Sequence, residues 1–271
     1  MNTDTSDADI SAMADMAARD DHRLRCLLLD AAPALPMYAY GVPPYGGMNI
    51  PDNWQETVAQ TRETQKARVN GVEKLLAQSN ASGEVQGTLT AINDAKHHVA
   101  RCARVSDEAI FADNLRDTPE LLREAVSGIL FHSPIGFQIN ANAEAKGRVF
   151  VAWDSSEAAS GAVHAALPYL REASEVVIGC IDPVMTPDRN GQNPGADLAA
   201  WLSHHGCPVT VSQFPSGGRP IADCILERAK EMGADLIVLG AYGHARMIQT
   251  VLGGTTRSMF EQTDFPVLMA H

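Results

Sequence analysis

The chain is organised around a stretch near its C-terminal end, which reads Asp235-Leu-Ile-Val-Leu-Gly-Ala-Tyr-Gly-His-Ala-Arg-Met-Ile-Gln-Thr-Val-Leu-Gly-Gly-Thr-Thr-Arg-Ser-Met259. Its apolar run from Leu236 to Leu239 is typical of a strand buried on both faces of a parallel sheet. Gly240 and Gly243 follow the run, and nine residues separate Gly243 from Gly253. The residues from Thr255 to Gln262 are compatible with a helix. The stretch therefore predicts a strand, a glycine loop and a helix.

This layout suits the binding of an anion such as a phosphate group. Glycines let the backbone approach a ligand closely, and a helix N-terminus offers unpaired N–H groups and the positive end of its dipole. A strand-to-helix turn that contains glycines for conformational reasons alone is the other interpretation. Neither the Walker A pattern nor the Rossmann G-x-G-x-x-G pattern occurs in the chain, so the sites that those patterns build are excluded.

Composition narrows the classes of partner. The chain has 271 residues, enough for two ordinary domains, and its hydrophobic content of 45% is normal for packed cores. Its net charge of −12 and the lack of a Lys/Arg-rich run argue against a nucleic-acid or acidic-membrane partner. An anionic ligand therefore needs a local site built from the backbone.

Cysteine usage and the N-terminal residues indicate a cytoplasmic protein. The cysteines are odd in number, scattered and never spaced as C-x-x-C, which argues against a disulfide framework or a zinc site. Residues 1–7 are polar and acidic, unlike a signal peptide, and no apolar run approaches membrane-spanning length. We therefore expect buried, reduced thiols and a cytoplasmic location.

Strand and helix patterns alternate along the whole chain, which predicts parallel sheets with right-handed crossovers. The same order of elements occurs from Leu24 to Ile139 and again from Val176 to Ala270, and the segment from Asn140 to Gly147 has the composition of a linker. We expect an α/β fold of two tandem domains, residues 1–140 and 147–271. The segment from Ala31 to Pro51 is rich in Pro, Gly and Tyr, and is either an ordered crossover or a lid or partner surface.

The spacing G-x2-G-x9-G-[S/T] resembles the ATP-binding signature of the universal stress protein family. This resemblance implies two Rossmann-like, adenine nucleotide alpha hydrolase-like domains with flanking helices. The segment from Val151 to Ser156 resembles the opening strand of the family and its V-x-x-D-x-S element. One departure is Gly254, which stands at the Ser/Thr position of the family, so that a hydroxyl contact to phosphate is missing or displaced to Thr255 and Thr256.

The resemblance also implies a set of nucleotide-binding residues. Asp154 would lie beside adenine, although an Asp at a strand-to-helix junction is commonly a helix N-cap. The backbone of Cys180 would hold the edge of the base. The residues expected around ribose and phosphates are Gly240, Gly243, Gly253, Gly254, Thr255 and Thr256. His244 and Arg246, inside the glycine loop, either contact phosphate or face solvent.

The first half resembles the family less closely. Only residues 1–6 precede its first predicted helix, so its opening strand is predicted to be missing. No glycine follows its predicted strand from Glu108 to Ala112 within residues 112–120. We therefore expect a degenerate first domain and one nucleotide site, in the C-terminal domain.

No side chains at catalytic or metal-ligand spacing are recognised. His97 and His98 are neighbours in sequence and do not share a helix face, and the same holds for His204 and His205. The resemblance implies a sensor or regulator that binds ATP, or AMP or ADP, with Mg²⁺ accompanying the phosphates. The alternatives are a scaffold of the same fold without a nucleotide, or a slow ATPase or nucleotide transferase. The segments 136–139 and 266–270 are expected to pair across the domains, as terminal strands do in the dimers of the family, which also suggests a homodimer.

Overall fold

A computed structural model describes residues 1–34, 53–141, 147–186, 190–241 and 254–271. The first half of the chain forms α1 (Asp7–Arg19), β1 (Leu24–Ala31), α2 (Trp54–Gln78), β2 (Gly83–Thr90), α3 (Ala95–Ala103), β3 (Ala109–Ile110), α4 (Pro119–His132) and β4 (Phe137–Ile139). The second half forms β5 (Arg148–Ala152), α5 (Glu157–Glu172), β6 (Glu175–Ile181), α6 (Ala196–His204), β7 (Val209–Phe214), α7 (Ile221–Met232), β8 (Leu236–Gly240), α8 (Gly254–Glu261) and β9 (Val267–Ala270). The predicted α/β alternation is confirmed. None of the described helices combines the length and the apolarity that a bilayer span requires.

The chain divides into two compact units, and their bounds differ from those of the sequence repeat. The first unit contains residues 1–102 and 112–128, and the second contains residues 103–111 and 129–271. The predicted domains, residues 1–140 and 147–271, follow the sequence repeat. Their bounds therefore remain a prediction. Most of the predicted loop 31–51 lies outside the described residues.

The first unit is built on the parallel pair β1 and β2, in register from Leu24 opposite Gly83 to Ala31 opposite Thr90. Helices α1 and α2 cover this pair, because each places apolar side chains one turn apart on the same face. The buried residues of this core are Ile10, Ala14, Cys26, Leu28, Val72 and Leu76. No strand precedes α1 among the described residues, in agreement with the predicted lack of an opening strand. Met1 lies beside β1, where its carbonyl accepts a hydrogen bond from the Leu29 amide at 3.0 Å.

The second unit contains a seven-stranded sheet with the order β3-β4-β9-β8-β5-β6-β7. All its pairs are parallel except β4 with β9. Apolar side chains of α5 and α6 pack with those of the strands, including Ala162, Leu170, Leu198, Leu202, Val151, Ile178 and Val238. The continuous apolar runs of β5, β6 and β8 fit their central position, where both faces of the sheet are covered.

The expected pairing of the terminal strands is present. Phe137 lies opposite Met269 and Ile139 lies opposite Val267 in the antiparallel pair β4–β9. Next to this pair, the Gln138 side chain donates to the Glu108 carboxylate at 2.6 Å, and the Tyr169 hydroxyl of α5 also donates to Glu108. Strands from the first half of the sequence repeat are thereby joined to the sheet of the second half, which explains why the compact units do not follow the repeat.

Candidate functional site

The order of strands in the second unit reverses at β5. Starting from β5, the chain adds β6 and β7 on one side, and then crosses to add β8 and β9 on the other side. Strands β5 and β8 are parallel neighbours, with Ala152 opposite Leu239. Ligands of open α/β sheets bind outside the carboxyl ends of the strands at such a reversal. The carboxyl ends of β5 and β8 therefore mark the candidate site.

Asp154 lies in a tight turn directly after β5. Its Oδ1 accepts a hydrogen bond from the Ser156 amide at 3.0 Å, and Ser155 between them has a φ of 62°. The N-cap of α5 is Ser156, whose Oγ accepts from the Ala159 amide at 3.1 Å. The interpretation of Asp154 as the N-cap is therefore wrong, because the hydroxyl two residues later performs that role. Asp154 instead shapes the turn that leads from the sheet edge into the helix.

Asn190 holds the loop after β6 against this turn. Its Nδ2 donates to the Asp154 carbonyl at 3.0 Å and to the Ser155 hydroxyl at 3.1 Å. Its Oδ1 accepts from the Val184 amide at 2.8 Å. Sequence reasoning missed Asn190, because an asparagine in a Pro/Gly-rich loop is ordinary turn chemistry and carries no specific signal.

Gly240, the last residue of β8, allows the strand to approach the start of α5. A Cβ at this position would lie 2.4 Å from the Ala159 nitrogen and 2.6 Å from the Ala158 carbonyl carbon. These are backbone atoms, which a side-chain rotation cannot move away. The first glycine of the signature is therefore required by helix–strand packing at the reversal point.

The described part of the signature after the loop is the first turn of α8. Gly254 is exposed and a Cβ there would meet no atom within 4 Å, whereas Thr256 is only 5% exposed. The buried Thr256 side chain belongs to the interior, and the half-buried Thr255 keeps the more accessible hydroxyl. Gly243, Gly253, His244 and Arg246 lie outside the described residues.

Cys180 is buried in β6, close to two carboxylates. Burial raises the pKa of its thiol to about 11, and the negative charges of Asp197 and Asp154 act in the same direction. A thiol in this environment stays protonated at neutral pH and is not an activated nucleophile. This is consistent with a site in which only the backbone of Cys180 meets a ligand.

No metal centre accompanies the site within the part of the chain that the structure describes. In that part, no three side chains of His, Cys, Asp or Glu converge in a way that would hold a metal ion. His204 ends α6 and His205 is the C-cap that follows it, and the ring of His205 packs against that of Trp201 in a tilted arrangement.

Asp182, which follows β6, is expected to make the stability of the second unit depend on pH in the acid range. Its carboxylate accepts from the Ser216 amide at 2.9 Å, and hydrogen bonds from Ser216 lower the pKa of Asp182. A lowered pKa in the folded state contributes stability above the unfolded value of about 4, and this contribution disappears as the pH falls below it. We expect Asp182→Asn to be less stable than the wild type at pH 7, with a difference that shrinks as the pH falls below about 4.

Urea unfolding at a series of pH values measures this effect. Asp223→Asn is the matched control, because it removes the same charge from an exposed position on α7. A stability difference for Asp182→Asn that stays constant across the acid range would contradict the assignment.

Comparison with known proteins found a family match for part of the chain and solved structures of similar fold. Residues 209–271 match the model of the universal stress protein family. A universal stress protein from Archaeoglobus fulgidus DSM 4304 is similar in structure, with a TM-score of 0.66 and 16% identity, over 98% of this chain and 92% of that chain. A member of the universal stress protein family from Burkholderia pseudomallei has a TM-score of 0.35 and 22% identity, over 46% of this chain and 96% of that chain. No curated protein sequence matches the chain. The family match confirms the resemblance within residues 209–271, and the first structural likeness establishes the fold.

Proposed function

We propose, from the universal stress protein fold of the chain and the family match of residues 209–271, that its C-terminal half binds ATP or a related adenine nucleotide. The protein would act as a sensor or regulator in a stress response, in the cytoplasm. The observation that carries the proposal is the reversal of strand order at β5 and β8, with Asp154 after one strand and Gly240 at the end of the other. This is the position at which open α/β sheets collect ligands.

The charges along the edge favour one orientation of the nucleotide. Asp154 and Asp182 follow β5 and β6, and Asp197 lies in the first turn of α6. These carboxylates would accept hydrogen bonds from the amino group of a base and would repel phosphates. On the other side of β5, α8 begins after β8, and a helix N-terminus stabilises negative charge. The base would therefore lie on the side of β6, and the phosphates on the side of α8.

Titration calorimetry of nucleotide-stripped protein with ATP and Mg²⁺ tests the proposal. We expect saturable binding near one site per chain, and weaker binding of AMP because it lacks two phosphates. Asp154→Asn keeps an oxygen that can accept from the Ser156 amide but removes the charge, and should weaken binding by roughly tenfold or more. Gly243→Val, in the glycine loop, should weaken it as well, whereas Asp223→Asn should not.

The same titration separates the alternative functions. Absence of heat with millimolar ATP, for protein shown to be folded, would overturn the proposal and favour a scaffold without nucleotide. That alternative has support in Gly254, which lacks the family hydroxyl, and in the buried position of Thr256. Phosphate release above a blank that Asp154→Asn abolishes would instead indicate a slow ATPase.

Self-association belongs to the same proposal. The antiparallel pair β4–β9 joins the terminal strands of the two sequence repeats within one chain, as an intramolecular counterpart of a dimer. Sedimentation measurements with and without ATP would determine whether a homodimer also forms.

A further inference from the structure

The loop that follows β6 is tied to the turn that follows β5 by one side chain. Asn190 Nδ2 donates to the Asp154 carbonyl at 3.0 Å and to the Ser155 hydroxyl at 3.1 Å. Asn190 Oδ1 accepts from the Val184 amide at 2.8 Å. The carboxamide therefore uses both of its donor hydrogens and its acceptor oxygen at once. One asparagine joins the two segments that leave the sheet on the side proposed for the base.

The backbone of Val184 is held at both of its polar groups. Its amide donates to Asn190 Oδ1, and its carbonyl accepts from the Thr186 amide at 2.8 Å and from the Asn190 amide at 3.1 Å. Gly191, which has a φ of 68°, donates its amide to the Thr186 carbonyl at 3.0 Å. A backbone that is fixed in this way loses little conformational freedom when a ligand packs against its side chain.

Two neighbouring apolar side chains are exposed on this loop. Among the described residues, four large apolar side chains are exposed, and two of them are Val184, at 48%, and Met185, at 55%. The others are Val105, which precedes β3, and Ile221, which begins α7. Single exposed apolar residues are ordinary. Two adjacent ones on a fixed backbone, at the edge of the candidate site, offer an apolar surface to a ligand.

The charges around this surface restrict what packs on it. Asp154 and Asp182 are exposed carboxylates that follow β5 and β6. Negative charge at these positions repels a phosphate group and accepts hydrogen bonds from an amino group. A nucleobase combines an apolar face with polar edges, which matches an apolar side chain beside carboxylates.

We propose that Asn190 is a positioning residue of the nucleotide site, and that it holds Val184 so that the face of the base packs against it. This inference rests on the proposed function and adds to it two residues that lie outside the glycine signature. Val184 contacts the base, and Asn190 acts through Val184. The contribution of this pair is confined to the base, because the phosphates lie on the side of α8.

Calorimetric titrations with ATP and with ribose 5-triphosphate, which lacks the base, isolate this contribution. The ratio of the two affinities measures what the base adds to binding. We expect Val184→Thr to lower this ratio roughly fivefold, because a hydroxyl replaces a methyl group against the base. Asn190→Ala should lower it roughly tenfold, because the loop loses its bonds to the turn. The affinity for ribose 5-triphosphate should stay within about twofold in both variants.

Val105→Thr is the matched control. Val105 is 68% exposed, and it precedes β3, which lies five strands from β6 in the sheet order. The same substitution there should leave the affinity ratio unchanged. Hydrogen exchange without nucleotide tests the role of Asn190 separately. The Val184 amide should exchange at least about tenfold faster in Asn190→Ala, because it loses its acceptor.

The outcomes separate this inference from the proposed function. Lack of ATP binding by the wild type would overturn both. Binding of ATP with an unchanged affinity ratio in Val184→Thr would overturn this inference alone, and this variant alters only an exposed side chain, so the test stays decisive even if Asn190→Ala does not fold. Equal losses for ATP and ribose 5-triphosphate in Asn190→Ala, or unchanged exchange of the Val184 amide, would overturn the positioning role.

Discussion

Gly240→Ala is expected to lower the free energy of unfolding of the second unit by about 2 to 3 kcal/mol. The added methyl group would lie 2.4 Å from the Ala159 nitrogen, so either β8 or the first turn of α5 must move. Because Ser156 caps that turn and Asp154 shapes it, the displacement should also weaken the binding of nucleotide.

The matched control comes from the same signature. A Cβ on Gly254 meets nothing within 4 Å, and the residue is exposed at the start of α8. Gly254→Ala should therefore change the stability by less than about 1 kcal/mol, in either direction. Urea unfolding followed by tryptophan emission in a Trp54→Phe background, which leaves only Trp153 and Trp201 as emitters, reports on the second unit. Equal losses in the two variants would show that close packing is not the reason for glycine at position 240.

The contrast between these two glycines shows how far a sequence signature can be interpreted. Spacing predicts a strand, a loop and a helix, and the described ends of that stretch confirm the strand and the helix. It does not separate a glycine that touches a neighbouring helix from one that faces solvent. That difference depends on α5, about 80 residues earlier in the chain, which no local pattern reveals.

Most elements of the fold were predictable because their patterns are local. The continuous apolar run from Leu236 to Leu239 predicted β8, and the alternation of strand and helix patterns predicted the parallel sheet. The bounds of the compact units were not predictable, because the antiparallel pair β4–β9 joins segments more than a hundred residues apart. The sequence repeat suggested that β4 would pair with β9, but not that β3 would extend the same sheet beside β4.

The site was predictable where it follows from topology, and not where it follows from packing. The resemblance implied that Asp154 and the backbone of Cys180 meet the base, and the structure has Asp154 just after β5 and Cys180 near the end of β6. The contacts of Asn190 depend on the course of the loop after β6. Those contacts are tertiary features, and the local periodicity of a sequence does not reveal them.

Gly179→Ala is expected to destabilise the second unit by about 2 to 3 kcal/mol, because it overpacks the sheet. A Cβ at position 179 of β6 would lie 2.2 Å from Cζ of Phe150 on the neighbouring strand β5. The Phe150 ring is fully buried and lies 6.4 Å, between centroids, from the ring of Phe214. The ring has little room to move, so the strands must separate locally.

A second substitution isolates the cause. Phe150→Leu removes the ring atoms that would collide with the new methyl group, and by itself should cost about 1 to 2 kcal/mol. In the double variant we expect the loss to be smaller than the sum of the single losses by at least about 1 kcal/mol, because the two positions are in direct contact.

Phe137→Leu serves as the control for this coupling. Phe137 is also fully buried, but it lies on β4, four strands from β6 in the sheet order, or roughly 19 Å away. Its loss should add to that of Gly179→Ala within about 0.5 kcal/mol. If the pair with Phe150→Leu were equally additive, the collision with the ring would not be the reason for glycine in β6. The backbone contact of Gly179 with the Trp153 amide would then be the feature to test.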